Sequence, residues 1–287
     1  MGDKYCIVSN FYGHYEYSKI IKMISEEENV DAIILNGNLM NPFSKVNDLR
    51  RNIGSFLNSK KKVYILPGRT EINNNFNLIL DEFKRYDNII NGLKKRYINS
   101  NESQIFFLNS PEKIYNTEFN TIKDELNEKN LESIIKKELK DPENTVFVST
   151  YPRKFKSKIA FDYHLMGEAN CDLIIDGISI KKGSYLNKEI SESLKEKDYP
   201  IQIKKKNYGS KKLSNIYDNF NITKGISSFF SKGNKKAIND SENTILFEST
   251  FSKEIYYNPG IGAKGEFGII EIENGKMKYE QYNFLKV

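Results

Sequence analysis

The stretch YCIVSNFYGH, Tyr5 to His14, decides how the rest of the chain reads. Tyr5 to Val8 run apolar, and Ser9, Asn10 and Gly13 then break the run, the pattern of a buried strand opening into a loop. In an open α/β sheet, ligands bind beyond the carboxyl ends of the strands. Ser9, Asn10 and Tyr12 therefore stand where chemistry would be, and the question is whether their side chains can perform any.

Outward from this loop, Tyr15 to Glu28 carries Tyr17, Ile20, Ile21 and Ile24 at helical spacing, and Ala32 to Leu35 is a second apolar run closed by Asn36-Gly37-Asn38. Val46 to Leu57 repeats Leu49, Ile53 and Leu57 every four residues, and Val63 to Leu66 is a third strand ending in Pro67-Gly68-Arg69-Thr70-Glu71. Three strand, loop and helix units in about seventy residues predict right-handed crossovers and a mainly parallel sheet. Asn73 to Ile98 reads as one long or two short helices, Ile105 to Leu108 as a strand, and Glu118 to Lys140 as a charged amphipathic helix or pair cut off by Asp141-Pro142. Strands follow at Thr145 to Ser149, before Thr150-Tyr151-Pro152, and at Leu173 to Ile175, before Asp176-Gly177. His164, in FDYHLMGE, falls in a short helix before Gly167. Strands resume at Ile245 to Phe247 and Glu254 to Tyr257, and Asn274-Gly275 makes a hairpin turn between Phe267 to Glu273 and Lys276 to Phe284.

At 287 residues the chain can bury a full core without staples. Hydrophobic residues are 38% and aromatic residues 13%, too many for a disordered chain despite a polar mean hydropathy of −0.60. Cys6 and Cys171 lack the close spacing of a metal knuckle or redox pair, so both are expected to be structural. No apolar run approaches the ~18 residues of a membrane span, and the start MGDKYC lacks the apolar core of a signal peptide, so a cytoplasmic protein is expected.

Gly13, Gly37, Pro67-Gly68, Pro152, Gly177 and Asn258-Pro259-Gly260 follow the successive strands. Their order and spacing resemble the calcineurin-like metallophosphoesterase superfamily over most of residues 5–180 and 243–285. The resemblance implies an α/β fold, a four-layer α-β-β-α sandwich of two stacked sheets flanked by helices. It also implies where a metal site would be. Enzymes of that family carry Asp-x-His-Gly after the first strand, Gly-Asp after the second, and Gly-Asn-His-Asp or Gly-Asn-His-Glu after the third. A His near a Pro and a Gly-His-x-His pair come later.

At the ligand positions this chain departs from that pattern. Asn10 and Tyr12 stand at the first Asp and His, Asn38 at the Asp after Gly37, and Arg69 with Thr70 at the Asn and His after Gly68. Thr150 falls near the later His, and Ile178 and Ile180 at the last pair. A two-metal phosphoesterase holds its ions about 4 Å apart with several carboxylate and imidazole ligands. The chain has two histidines, His14 and His164. Amides and hydroxyls carry no charge to offset two dications, isoleucine ligates nothing, and the Arg69 cation opposes metal binding. The expectation is a pseudoenzyme without a metal cofactor, acting as an interaction or scaffold module. The rival is a metal-dependent phosphoesterase with one weakly held Mn²⁺ or Mg²⁺, its site built from Asn10, Asn38, Glu71 and one or two of Asp172, Asp176, His14 and His164. A further reading makes Arg69 and His14, with the backbone amides of Gly13, Gly37 and Gly68, a metal-free anion contact.

Roughly eighty residues separate Gly177 from Asn258, and 181–242 is expected as a basic insertion in a single domain spanning 1–287. Ile201 to Asn239 carries nine Lys and one Asp, so its net +8 exceeds the whole chain's +6. Lys204, Lys205, Lys206, Lys211, Lys212, Lys235 and Lys236 are interleaved with Tyr208, Tyr217, Phe220, Phe229 and Phe230, a mixture compatible with phosphate pairing and base stacking. The same mixture suits a protein partner or an anionic membrane surface. A protein partner and, through 201–239, a nucleic acid are the partners expected, beside a plain solvated surface.

Overall fold

A run that is apolar at every position, and not at every second one, belongs to a strand covered on both faces. Tyr5, Cys6, Ile7 and Val8 are such a run, and all four are fully buried. The computed structural model describes residues 2–40, 47–68, 71, 75–100, 102–108, 128–175, 178–207, 209–228 and 236–285. The first part of the chain is β1 (Asp3–Val8), α1 (Ser18–Glu27), β2 (Ala32–Asn36), α2 (Asn47–Gly54), β3 (Lys62–Leu66), α3 (Asn75–Glu82) and β4 (Ile89–Asn91). The middle is β5 (Tyr97–Asn99), β6 (Gln104–Leu108), α4 (Glu128–Glu138) and β7 (Thr145–Ser149), then β8 (Tyr163–Ala169), β9 (Leu173–Ile175), β10 (Ile178–Ile180), β11 (Tyr185–Asn187), α5 (Lys188–Glu196) and β12 (Ile201–Asn207). The last part is α6 (Lys211–Asn219), β13 (Lys224–Ser227), β14 (Lys236–Asn239), β15 (Thr244–Leu246), β16 (Ile255–Asn258), β17 (Glu266–Glu273) and β18 (Lys276–Asn283).

Among the described residues two large sheets form, in the orders β18-β17-β1-β2-β3-β4 and β15-β14-β16-β13-β7-β6-β5. β1 to β4 run parallel, as the crossovers predict, and β17 closes on β1 antiparallel with Tyr5 opposite Ile270. Side chains alternate across each strand and so sort into layers. Cys6, Val8, Ile33, Leu35, Val63 and Ile65 pack with Ile21, Leu49, Ile53, Phe76 and Ile79 of the outer helices. Tyr5, Ile7, Ile34, Tyr64 and Leu66 face the second sheet, meeting Ile105, Phe107, Val146, Val148, Ile226 and Tyr257. That sheet's other face, with Phe106, Phe147 and Tyr256, is covered by Leu131 and Ile135 of α4 and Leu213, Ile216 and Tyr217 of α6. Helix, sheet, sheet, helix is the expected four-layer sandwich.

Two readings of single segments are corrected. Asn73 to Ile98 holds one helix, α3, followed by β4 and β5, because Ile89 and Ile90 complete the sheet beside Val63 and Tyr64 and Tyr97 pairs with Phe106. From Tyr163 onward FDYHLMGE is the strand β8, not a helix, since β11 and β12 pair on either side of it. Cys6 is buried, whereas Cys171 is exposed. The first part of the predicted helix 118–140 lies outside the described residues, and α4 accounts for the rest.

The lysine-rich stretch 181–242 divides between two places. Its first half joins β8 in a small lobe: a sheet in the order β11-β8-β12 with α5 on one face, plus the β9–β10 hairpin, around Ala169, Leu194 and Ile201. Its second half is sandwich. β13 lies between β7 and β16 in the middle of the second sheet, and β14 borders β16. No helix among the described residues is long and apolar enough to cross a membrane.

Candidate functional site

The loops after β1 and β2 turn sharply. Asn10, Tyr12, Gly13, Gly37 and Asn38 all have positive φ, at 57°, 47°, 90°, 76° and 55°. Gly and Asn accept this left-handed backbone, while for Tyr12 it costs about 1–2 kcal/mol, which the surrounding bonds must offset. Those bonds cross between the loops. The N–H groups of Asn10, Tyr12 and Gly13 donate to the carbonyls of Gly37, Asn38 and Leu39 at 3.1, 3.0 and 2.7 Å. A Cβ on Gly37 would stand 2.7 Å from both Gly68 Cα and Thr150 Cγ2, so the loops after β2, β3 and β7 meet at a point where only glycine fits.

At the centre of this junction are two carboxamides. Asn38 Nδ2 donates to Asn10 Oδ1 at 2.7 Å, and the Tyr12 hydroxyl donates to the same oxygen at 3.3 Å. Asn10 Nδ2 reaches Gly260 O at 3.2 Å, in the Asn258-Pro259-Gly260 turn. Asn10 is fully buried and Asn38 is 3% exposed. Glu71, also fully buried, holds the junction from beneath: Oε2 accepts the N–H groups of Gly68 and Asn38 at 2.7 and 2.9 Å, and Oε1 that of Met40 at 2.7 Å. On the far side Asn36 Nδ2 donates to Ser149 O at 2.9 Å, and Gly262 and Ala263 donate to Ser9 O and Asn10 O at 2.7 and 3.0 Å.

This donor set does not fit the two-metal centre that the family resemblance implies. The residues at two of its ligand positions, Asn10 and Asn38, bond to each other, and the Asn38 nitrogen that faces Asn10 is a donor, which cannot ligate a cation. The buried carboxylate beneath the two amides, Glu71, is committed to three backbone N–H groups. Ser9 Oγ, Asn36 Oδ1 and Asn258 Nδ2 are buried here without a protein hydrogen bond, and a hydroxyl, an amide oxygen and an amide N–H form a neutral set. Of the backbone N–H groups expected in an anion contact, those of Gly13 and Gly68 are donated to Leu39 O and Glu71.

The remaining candidates are dispersed. His14 is exposed, with Nδ1 2.8 Å from Glu16 Oε1 and its ring stacked on Tyr17. Thr150 does reach the junction, through its contact with Gly37, but carries no ligand chemistry there. Ile178 and Ile180 are on β10 of the small lobe, where Ile180 joins the lobe's apolar cluster. His164 is on β8, opposite Lys206. Asp172 is exposed on the same lobe, held below the ordinary aspartate range first by the Lys182 N–H and then by Lys181. Arg69, Thr70, Asp176 and Lys235 lie outside the described residues. Among the described residues no three His, Cys, Asp or Glu side chains come together as a metal site.

Many of the lysines expected on one basic surface are engaged within the protein. Lys204 pairs with Glu168 at 2.7 Å. The ammonium groups of Lys205 and Lys236 donate to the carbonyls of Lys158 and Ile159, and that of Lys224, buried, donates to Glu143 O. Burial lowers the Lys224 ammonium to about 8. Lys211 and Lys212 stand exposed at the start of α6. Sequence reasoning missed these carbonyl caps and the roles of Asn36 and Ser149. An Asn ending an apolar strand was the available sign for Asn36; nothing local marks the partner of a lysine.

No family model matches the sequence, and no curated protein matches it. Solved structures do. The protein TT1561 of Thermus thermophilus is 13% identical, with 99% of each chain covered and a TM-score of 0.60. A second structure is 15% identical over 99% of this chain and 100% of its own, with a TM-score of 0.59. Purple acid phosphatase PPD1 from yellow lupin seeds is 8% identical over 99% of this chain and 52% of its own, with a TM-score of 0.49. At these identities the likeness is one of fold alone.

Proposed function

We propose, for a chain whose fold is that of the calcineurin-like metallophosphoesterases, a role without hydrolysis: a pseudoenzyme that keeps the scaffold and works by binding, with a protein as its partner. A fold does not determine an activity; the residues at the site do. One observation carries the reading, the 2.7 Å hydrogen bond from Asn38 Nδ2 to Asn10 Oδ1. It replaces two ligand positions by a neutral, buried, mutually satisfied pair, and Glu71 beneath it is already committed. Two dications need several carboxylates and imidazoles around them, and this junction offers neither in a free state. The dispersal of His14, His164 and Asp172 supports the same reading.

The test is elemental analysis of protein purified without chelator, together with hydrolysis of a generic phosphodiester in added Mn²⁺. Metal far below one ion per chain and no turnover is the expected result. One or more tightly held ions with turnover lost in Asn38→Ala would replace this reading by that of a phosphoesterase with an atypical site.

A further inference from the structure

Where the chain leaves the sandwich for the small lobe, a buried carboxyl keeps one oxygen without a partner. Asp162 ends the loop 150–162 and directly precedes β8; it is fully buried. Its Oδ2 accepts the Phe155 N–H at 2.9 Å, and its Oδ1 has no hydrogen bond. The strand that returns from the lobe ends beside it. β12 pairs with β8 as far as Asn207 opposite Tyr163. From there Asn207 Nδ2 donates to Phe155 O at 3.1 Å, and its Oδ1 accepts the Gly209 N–H at 2.8 Å. Gly209 lies so close that a Cβ on it would stand 2.6 Å from Asp162 Oδ2. Ser210 N–H then donates to Pro152 O at 2.9 Å, and Lys154 N–H to Ser210 O at 3.0 Å. Both strands that carry the lobe 163–207 pass through this one clasp.

Charged groups face Asp162 from the packed elements. β14 supplies Lys236, whose Nζ donates to Ile159 O, and just past its end is Asp240, which accepts the Lys156 and Ser157 N–H groups at 3.0 and 2.8 Å. β12 supplies Lys205, with Nζ 2.6 Å from Lys158 O. Arg153 is engaged by the Tyr256 hydroxyl at 2.8 Å and by Asp218 at 3.1 Å, and Lys154, Lys156 and Lys158 of the loop are exposed. Burial above all pushes the Asp162 carboxyl up to about 7; Asp240 adds to the rise, and the N–H groups of Phe155 and of Asp162 itself and the Asn207 carboxamide oppose it.

We infer that Asp162 is a proton-operated latch on the small lobe. Protonated, it rests in the closed clasp. Ionised, with its proton released to solvent, it draws the Lys236 ammonium off the Ile159 carbonyl, and the loop 150–162 loosens its hold on β8 and β12. A carboxyl raised from 3.8 to about 7 in the closed form keeps a proton that the open form releases between those values. The closed form therefore loses ground as pH rises through that window, and no further above it. This holds whether or not the strand-end junction supports hydrolysis.

Hydrogen exchange of the full chain from about pH 5 to about pH 8.5, corrected for intrinsic rates, tests the latch. In the wild type, amides of 155–162 and 201–207 should lose protection by about a hundredfold across the range, and Asp162→Asn should flatten that dependence. A flat wild type, or an unchanged slope in Asp162→Asn, overturns the proposal. Should Asp162→Asn fail to fold, the carbon-13 carboxyl titration of wild-type Asp162 decides. A midpoint near 7 that coincides with the loss of protection supports the latch, and a midpoint near the ordinary aspartate value of about 4 removes it.

Discussion

Two junctions tie loops to strands in this protein, and they are made of opposite materials. At the carboxyl ends of β1, β2 and β3, the carboxamides of Asn10 and Asn38 and the Tyr12 hydroxyl meet as neutral groups, with the Glu71 charge held beneath by three N–H donors. At the neck of the small lobe, Asp162, Asp240 and Lys236 are brought together, and Asp162 Oδ1 has no hydrogen bond. A junction of neutral groups has little to offer a cation or a proton. An ionisable, unsaturated one answers to pH. On the reading proposed above, the strand-end junction is the passive one and the neck of the small lobe the responsive one.

The largest expected effect comes from removing the keystone of the neutral junction. Glu71→Ala leaves three buried N–H groups without an acceptor and should cost about 3–5 kcal/mol in urea unfolding, while Glu71→Gln, which keeps one acceptor oxygen, should cost about half as much. A loss within about 1 kcal/mol for Glu71→Ala would mean that the loops are held by something else.

The next experiment makes the first junction resemble the second. Asn10→Asp combined with Asn38→Asp sets two carboxylates against each other, and like charges raise carboxyl values in the folded state. The double variant should lose about 2–4 kcal/mol at neutral pH and recover stability as pH falls through those raised values. Added Mn²⁺ should raise the urea midpoint of the double variant and leave that of the wild type unmoved. A wild-type shift of similar size would break the contrast between the two junctions.

The smallest effect is expected in the small lobe. Lys204→Ala removes a half-exposed pair with Glu168 and should change stability by about 0.5 kcal/mol or less. A loss above about 1 kcal/mol would show that the lobe's lysines are structural beyond their carbonyl caps.

The two junctions were unequally legible in the sequence. Asn10, Tyr12 and Asn38 sit immediately after apolar runs, so their place at strand ends could be read from local pattern, and their residue types already spoke against metal ligation. That Asn38 would donate to Asn10 could not be read, because the contact depends on Gly37 turning the loop at positive φ against Gly68 and Thr150. The neck had no local signature. Asn207 and Phe155, which bond there, are 52 residues apart. FDYHLMGE reads as a helix in isolation and becomes a strand through pairing with β11 and β12.

By itself, then, the sequence determined the layered α/β architecture, the positions of the strand-end loops and the uncharged side chains of Asn10, Tyr12 and Asn38 in them. Apolar periodicity and turn residues act over a few neighbouring positions, and they are enough to set which strands are buried on both faces. Only the tertiary structure decided that half of the lysine-rich stretch belongs to the sandwich, that several of its ammonium groups cap carbonyls, and that Asp162 is buried with an oxygen to spare. Those outcomes depend on which distant segments exclude water from a given side chain, and water exclusion is a property of the packed chain.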